Sequence, residues 1–226
     1  MSQVVAAPSL AMVHTVASLI PVFDALAKQY LPGWQTFNML DESLLRTTIR
    51  QGSLSTLTMR RLTGLVWSAV DAGAQAVVVT CSSLGPAVDA ARVVCPVPLL
   101  RIDEGMALHA VGHGPRIGVL ATLATTLTPT SDLITRTAAQ MRQTCTLTAR
   151  IAEGAFEKLQ LGDTTGHDQA VAQAIRAMAH DVDVIVLAQA SMARALDSVK
   201  DELGALPVLT SPDLGMQHAA RALAAQ

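Results

Sequence analysis

Aromatic residues are scarce in this sequence: three Phe, two Trp and one Tyr, 3 % of 226 residues. That leaves little from which to build a base-stacking or sugar-stacking platform. Charge is also thin, at 15 %, with 16 Lys and Arg against 18 Asp and Glu. No stretch is densely basic, so the Lys/Arg footprint of a nucleic-acid or anionic-membrane binder is missing. The three cysteines, Cys81, Cys95 and Cys145, are an odd and sparse set. They argue against a disulfide framework and for a reducing, cytoplasmic location. Every apolar run is interrupted well before the roughly 18 residues a membrane-spanning helix needs. The first thirteen residues have no positive region, since no Lys or Arg precedes Lys28, and they read as mature protein rather than a secretory signal. Neither GxGxxG nor a Walker sequence occurs, so no nucleotide cofactor is indicated.

What is abundant is apolar residues: half the chain is hydrophobic and the mean hydropathy is +0.38. A disordered tail or low-complexity linker is excluded, and a large core is implied. Strand candidates lie at 10–14, 35–40, 76–81, 97–100, 116–121, 144–150, 184–188 and 207–210. Helix candidates alternate with them at 18–29, 42–51, 56–72, 84–93, 103–112, 126–143, 153–159, 167–180, 191–203 and 213–224. The runs VVV and VIVL are continuously apolar rather than alternating, as in a parallel sheet covered on both faces. The order predicts an α/β fold.

The chain also matches itself. The segment Val77-Val78-Val79-Thr80-Cys81-Ser82-Ser83-Leu84 corresponds to Ile185-Val186-Leu187-Ala188-Gln189-Ala190-Ser191-Met192, residue 77 against 185, an offset of 108. Residues 12–18 correspond to 119–125 at an offset of 107. Pro98-Leu99-Leu100 followed by Gly105-Met106 corresponds to Pro207-Val208-Leu209 followed by Gly215-Met216, at 109 and 110. Three segments in one order at nearly one offset predict an internal duplication. The expected architecture is two pseudo-symmetric parallel-sheet lobes of Rossmann or flavodoxin type. Residues 1–110 with 211–226 form the first, residues 115–210 the second, and the active-site cleft lies between them. The terminal helix is expected to pack back on the first lobe.

Ligands of open parallel sheets sit at the carboxyl ends of the strands. The loops there, 15–18, 81–83, 122–126 and 189–191, are rich in hydroxyls and hold no Lys or Arg. Each precedes a predicted helix, whose free N–H groups favour an anion such as a carboxylate. Taken singly, such Ser and Thr residues read as N-caps. Cys81 ends a strand and begins a helix, where a thiol loses its proton more readily. Cys95 and Cys145 read as structural. His14 is the nearest titrating group, and a satisfied core histidine fits it equally well. His109 and His113 stand at i, i+4, but the helix is predicted to end at Gly112 and no third ligand follows, so no metal is expected. In the turn 162–168, Thr164 or Thr165 is the expected cap, with a substrate role for His167 left open.

These features resemble the aspartate/glutamate racemase superfamily, which includes hydantoin racemases, maleate isomerase and arylmalonate decarboxylase. The likeness rests on VVVTCSSLGPA at 77–87, IGVLATLATT at 117–126 and VIVLAQASMA at 184–193, and spans nearly the whole chain. It implies a cofactor-independent homodimeric enzyme of amino-acid metabolism with two α/β lobes. It also implies two catalytic cysteines, one per lobe, on opposite faces of the substrate's α-carbon. Cys81 matches the first, Ser82 and Ser83 the polar pair after it, and Thr122, Thr125 and Thr126 the carboxylate-binding loop. Gln189 occupies the place of the second cysteine, and an amide cannot take or return a proton.

The expected site is therefore Cys81 and Gln189 as the catalytic pair. His14, Thr15, Ser82, Ser83, Thr122, Thr125, Thr126, Ala190 and Ser191 would bind a small carboxylic or amino acid. Two-base racemisation needs a base on each face, so His14 or His167 would have to substitute for the lost thiol. One-thiol chemistries, cis–trans isomerisation or decarboxylation, stay open. So does a non-catalytic carboxylate binder, and, with least support, a thiol hydrolase.

Overall fold

In a computed structural model, residues 7–225 are described; the first six residues of the amino-terminal segment read above as mature protein lie outside them. The chain divides into two compact units, one of residues 1–102 with 216–226, the other of residues 103–215.

Unit 1 contains β1 (Ser9–His14), α1 (Ile20–Tyr30), β2 (Gln35–Leu40), α2 (Glu42–Gln51), α3 (Thr56–Asp71), β3 (Ala76–Val79), α4 (Gly85–Arg92) and β4 (Leu99–Arg101). Its four strands are parallel, in the order β2-β1-β3-β4. Unit 2 contains α5 (Glu104–His113), β5 (Arg116–Ala121), α6 (Ala124–Gln140), β6 (Thr146–Ile151), α7 (Ala155–Gln160), α8 (Thr164–Met178), β7 (Val184–Leu187) and β8 (Val208–Thr210). Its strands are again parallel, in the order β6-β5-β7-β8. The last helix, α9 (Ser211–Ala224), crosses the division.

The two sheets share their register. Leu10 lies opposite Ala76 in one and Ile117 opposite Val184 in the other. Val79 lies opposite Arg101, and Leu187 opposite Thr210. The central strands β3 (AVVV) and β7 (VIVL) are buried throughout, as β-branched runs between two helical layers must be. Alternation sorts β1 between two layers. Ala11 and Val13 pack with Leu44, Leu62 and Val66, while Leu10 and Met12 pack with Phe23, Ala27 and Ile102. In unit 2, Ile117 and Val119 join Ile134 and Val184, whereas Leu120 joins Val171, Ile175 and Met192.

Several expectations change. The sequence reading placed α5 in the first lobe, but its Met106, Ala107, Ala110 and Val111 pack with Ile117, Val119 and Leu133 of unit 2. In α9, Met216 and Ala219 pack with Leu10 and Met12 of unit 1. The helix expected at 191–203 is instead two 3₁₀ segments, Ala190–Ser198 and Lys200–Glu202. Its first segment ends where the Ser198 hydroxyl donates to the Ala195 carbonyl at 2.8 Å, an i−3 bond that suits the tighter winding. Helix α5 runs through His113, so His109 and His113 do share a face, with rings 6.5 Å apart. Among the described residues no group of three or more His, Cys, Asp or Glu could hold a metal ion. None of the helices there is long and apolar enough to cross a membrane.

Candidate functional site

Because every strand in a sheet is parallel, the loops that follow the strands emerge along one edge of it. In unit 1 that edge starts at His14, the last residue of β1, which is wholly buried. Its Nε2 lies 2.8 Å from Asn38 Oδ1, and its Nδ1 lies 2.9 Å from Thr80 Oγ1. Asn38 donates its amide nitrogen to Asp24 at 2.9 Å, which leaves its oxygen as an acceptor. His14 Nε2 therefore carries the proton, and Nδ1 faces the Thr80 hydroxyl, which also donates toward the Val13 carbonyl at 3.2 Å. Burial lowers the pKa of His14 below 6.5, against the opposing pull of the Asn38 hydrogen bond and the Asp24 charge. Both ring nitrogens are engaged, which describes a satisfied core histidine.

Cys81 follows β3. It is half-buried, is not in a disulfide, and has an extended backbone at φ −129° and ψ 107°. It opens a 3₁₀ turn, Ser82–Leu84, whose Leu84 N–H donates to the Cys81 carbonyl at 3.1 Å. Helix α4 continues from that turn, with Pro86 in its first turn. Ser82, Ser83 and Thr15 are buried beside these strand ends. No side chain caps the turn at Cys81 or the equivalent turn after Val16. The positive end of the helical segment thus faces the thiol side of the loop, where it favours an anion. Cys95 and Cys145 are also half-buried, and burial pushes the Cys145 thiol up.

Sequence reasoning missed one cation here. Arg101, at the end of β4, is a buried guanidinium paired with Asp89 at 2.7 Å. It lies against the first residue of α4, where a Cβ on Gly85 would fall on the guanidinium. The loops contain no Arg, but the strand beside them does. The repeat held the signal: Gly85 and Arg101 in one unit correspond to Ala193 and Thr210 in the other, so the backbone opens only where the arginine needs the space.

In unit 2 the corresponding edge brings together the loops after β5 and β7. Gln189 is half-buried, and its Oε1 accepts from the Thr122 N–H at 2.6 Å and from the Thr122 hydroxyl at 3.0 Å. The amide therefore ties the two loops to each other. Ala190 and Ser191, both half-buried, begin the 3₁₀ segment, which no side chain caps. Thr122 and Thr126 are buried. Helix α6 starts after Leu123, again without a side-chain cap, and the buried Thr125 hydroxyl oxygen has no hydrogen-bond partner among the described residues.

The capping reading of these hydroxyls thus gives way. Side-chain caps are found at other helices: Asp41 at α2, Ser55 at α3 and Asp163 at α8. Asp163, rather than Thr164 or Thr165, caps α8 through the Gly166 N–H at 2.8 Å. A carboxylate reaches the first-turn N–H groups from the preceding turn, whereas Thr164 already has helical backbone geometry.

The Asp/Glu/hydantoin racemase family model matches residues 12–219. No curated relative matches the chain in sequence. Among solved structures, a glutamate racemase from Bacillus anthracis superposes with a TM-score of 0.73 at 18 % identity, covering 96 % of this chain and 82 % of that one. An allantoin racemase from Klebsiella pneumoniae gives 0.67 at 19 %, over 96 % and 88 %. An aspartate racemase homologue from Pyrococcus horikoshii gives 0.63 at 13 %, over 96 % and 99 %. At these identities the structural likeness establishes the fold.

Proposed function

The chain belongs to the Asp/Glu/hydantoin racemase family, and on that premise we propose that it is a cofactor-independent, isomerase-type enzyme acting on a small carboxylic or amino acid through Cys81. One observation carries the reading: a half-buried thiol opens an uncapped helical segment, with the hydroxyls of Ser82 and Ser83 directly after it. The thiolate takes a proton from the substrate's α-carbon, or the thiol returns one. Uncapped N–H groups and hydroxyls stabilise the charge that then develops on the carboxylate oxygens. Thr15, Ser82 and Ser83 supply such groups beside the thiol in unit 1, and the equivalent loops of unit 2 carry Thr122, Thr125, Thr126, Ala190 and Ser191. The orphaned Thr125 hydroxyl supports a polar ligand at its loop. The same reading takes the protein to be a cytoplasmic homodimer.

Gln189 favours a second reading. Its oxygen is committed to Thr122 and its amide does not titrate, so the residue orients groups and transfers no proton. One-thiol chemistry, decarboxylation or cis–trans isomerisation, needs no proton from it. Assaying the wild type and the Cys81→Ser variant against racemase, isomerase and malonate-type substrates separates the readings. Turnover of a chiral α-carbon in the wild type that is lost in the variant supports the first. Undiminished turnover in the variant removes Cys81 from the chemistry. Tight carboxylate binding without any turnover leaves a binding protein.

A further inference from the structure

Thr80 is the single residue between the end of β3 at Val79 and Cys81. Its N–H donates to the Val13 carbonyl of β1 at 3.0 Å, and in unit 2 the Ala188 N–H donates to the Leu120 carbonyl of β5 at 2.9 Å. The main chain thus fastens the residue before Cys81 and the residue before Gln189 in the same way. The side chains do not. In unit 2 the residue in the thiol's place holds its own loop, since Gln189 accepts from the Thr122 N–H and hydroxyl. In unit 1 the hold sits one residue earlier, on Thr80. Its hydroxyl lies 2.9 Å from His14 Nδ1 and 3.2 Å from the Val13 carbonyl. With the ring proton on Nε2, both are acceptors, so one hydroxyl proton serves two acceptors at the end of β1.

His14 is itself braced. Its Nε2 meets Asn38 of β2 at 2.8 Å, and Asn38 donates to Asp24 of α1 at 2.9 Å. Donation therefore runs one way, from hydroxyl to imidazole to amide to carboxylate, and each link polarises the next. The residues matching Thr80, His14 and Asn38 in unit 2 are Ala188, Ala121 and Ala149. The two sheets have the same strand order and register, so a set needed only to close a strand end would be needed in both. It stands in the unit that carries the thiol and is missing where Gln189 takes the thiol's place. The other buried histidine, His167, lies on α8 and meets its own neighbour Asp168 at 2.6 Å. A thiol beside a helical N-terminus gains reactivity only while its sulfur is held near the free N–H groups.

We propose that His14 and Thr80 are positioning residues for Cys81: His14, braced by Asn38, grips the Thr80 hydroxyl and so fixes the loop that presents the thiol to the substrate. This rests on Cys81 being the reacting group. Neither His14 nor Thr80 exchanges a proton with the substrate; His14 acts through Thr80, and Thr80 acts through the backbone it shares with Cys81.

The test reads the thiol without a substrate. Wild type, Thr80→Val, Thr80→Ser, His14→Gln and the double variant His14→Gln with Thr80→Val are alkylated with iodoacetamide near neutral pH. Peptide mass spectrometry gives the rate at each cysteine, Cys95 of the same unit is the internal control, and a thermal melt checks each fold. Val keeps the branched shape of Thr80 and removes the hydroxyl. Gln keeps an N–H for Asn38 and gives up the acceptor at Nδ1. Thr80→Val and His14→Gln should each slow Cys81 about fivefold or more and leave Cys95 within about twofold. Thr80→Ser should restore the rate, and the double variant should be no slower than the slower single. A folded Thr80→Val whose Cys81 reacts at the wild-type rate or faster, equal slowing of Cys95, or additive losses in the double variant overturns the assignment. If His14→Gln does not fold, the contrast of Thr80→Val with Thr80→Ser decides. For any glutamate, aspartate or allantoin enantiomer that the wild type turns over, Thr80→Val should lower kcat about fivefold at unchanged KM; an undiminished kcat overturns the positioning role and leaves Cys81 standing. Absence of wild-type turnover with every probe overturns the reading of Cys81 as the reacting group, and this assignment with it.

Discussion

At the end of β1, unit 1 carries the buried His14, and unit 2, at the matching position, carries Ala121. The difference extends to its neighbours. Asn38 corresponds to Ala149 by strand register, since Met12 pairs with Asn38 and Val119 with Ala149. Thr80 corresponds to Ala188. A complete polar network in one copy is thus three alanines in the other, inside sheets of one order and one register. Arg101 over Gly85 corresponds to Thr210 and Ala193. Unit 2 joins its loops differently, by Gln189 on Thr122, and places its buried histidine on a helix rather than a strand. The apolar layers of the duplicated unit were kept, while the polar groups at the strand ends were exchanged as sets. That is the expected behaviour of buried hydrogen-bonding groups: losing one partner costs more than losing all of them.

The largest effect expected from breaking this contrast is at His14. His14→Ala should cost about 2–4 kcal/mol, through the cavity and the stranded Asn38 and Thr80 groups. The triple change His14→Ala, Asn38→Ala, Thr80→Ala imitates unit 2 and should cost less than the sum of the three single changes. Urea unfolding of the four variants measures both, and strict additivity would break the claim that the groups act as a set. Next is Gly85→Ala, which drives a methyl into the Arg101 guanidinium and should cost about 2 kcal/mol. The mirror change Ala193→Gly should cost only about 0.5–1 kcal/mol. Gln189→Ala removes the acceptor from two Thr122 donors and should cost about 1–2 kcal/mol in the same unfolding assay.

The smallest effect is a pH slope. Burial holds the folded His14 below its ordinary 6.5, so the unfolded chain binds a proton first as the solution is acidified. The contribution of His14 is complete above about pH 6.5 and declines as pH falls below it. Melting temperatures from pH 7.5 to 5 should therefore fall less steeply for His14→Gln than for the wild type.

How much of this was visible in the sequence follows from how far each interaction reaches. Buried parallel strands leave unbroken apolar runs, so VVV and VIVL showed the α/β class, and the repeat offsets showed two similar sheets. Cys81 was visible because strand end and helix start adjoin in the chain. The partners of the polar groups were not visible. His14 finds Asn38 24 residues away and Gln189 finds Thr122 67 residues away, distances at which no local pattern survives. The Asp163 cap was hidden by two adjacent threonines, residues that also cap helices, although Asp is the better cap. The extension of α5 through His113 was hidden by Gly112, which reads as a stop signal but is carried here as an ordinary helical residue. Aligning the two halves position by position would have exposed the His14, Asn38, Thr80 set as residues that alanine replaces.

The most direct measurement is α-deuterium exchange from both enantiomers of glutamate and aspartate, in the wild type and in Cys81→Ala at matched folded concentration. If Cys81 is the reacting thiol, the wild type exchanges deuterium and the variant falls by about 10²–10⁴-fold with its melting temperature little changed. A folded variant that exchanges deuterium at the wild-type rate would contradict that assignment.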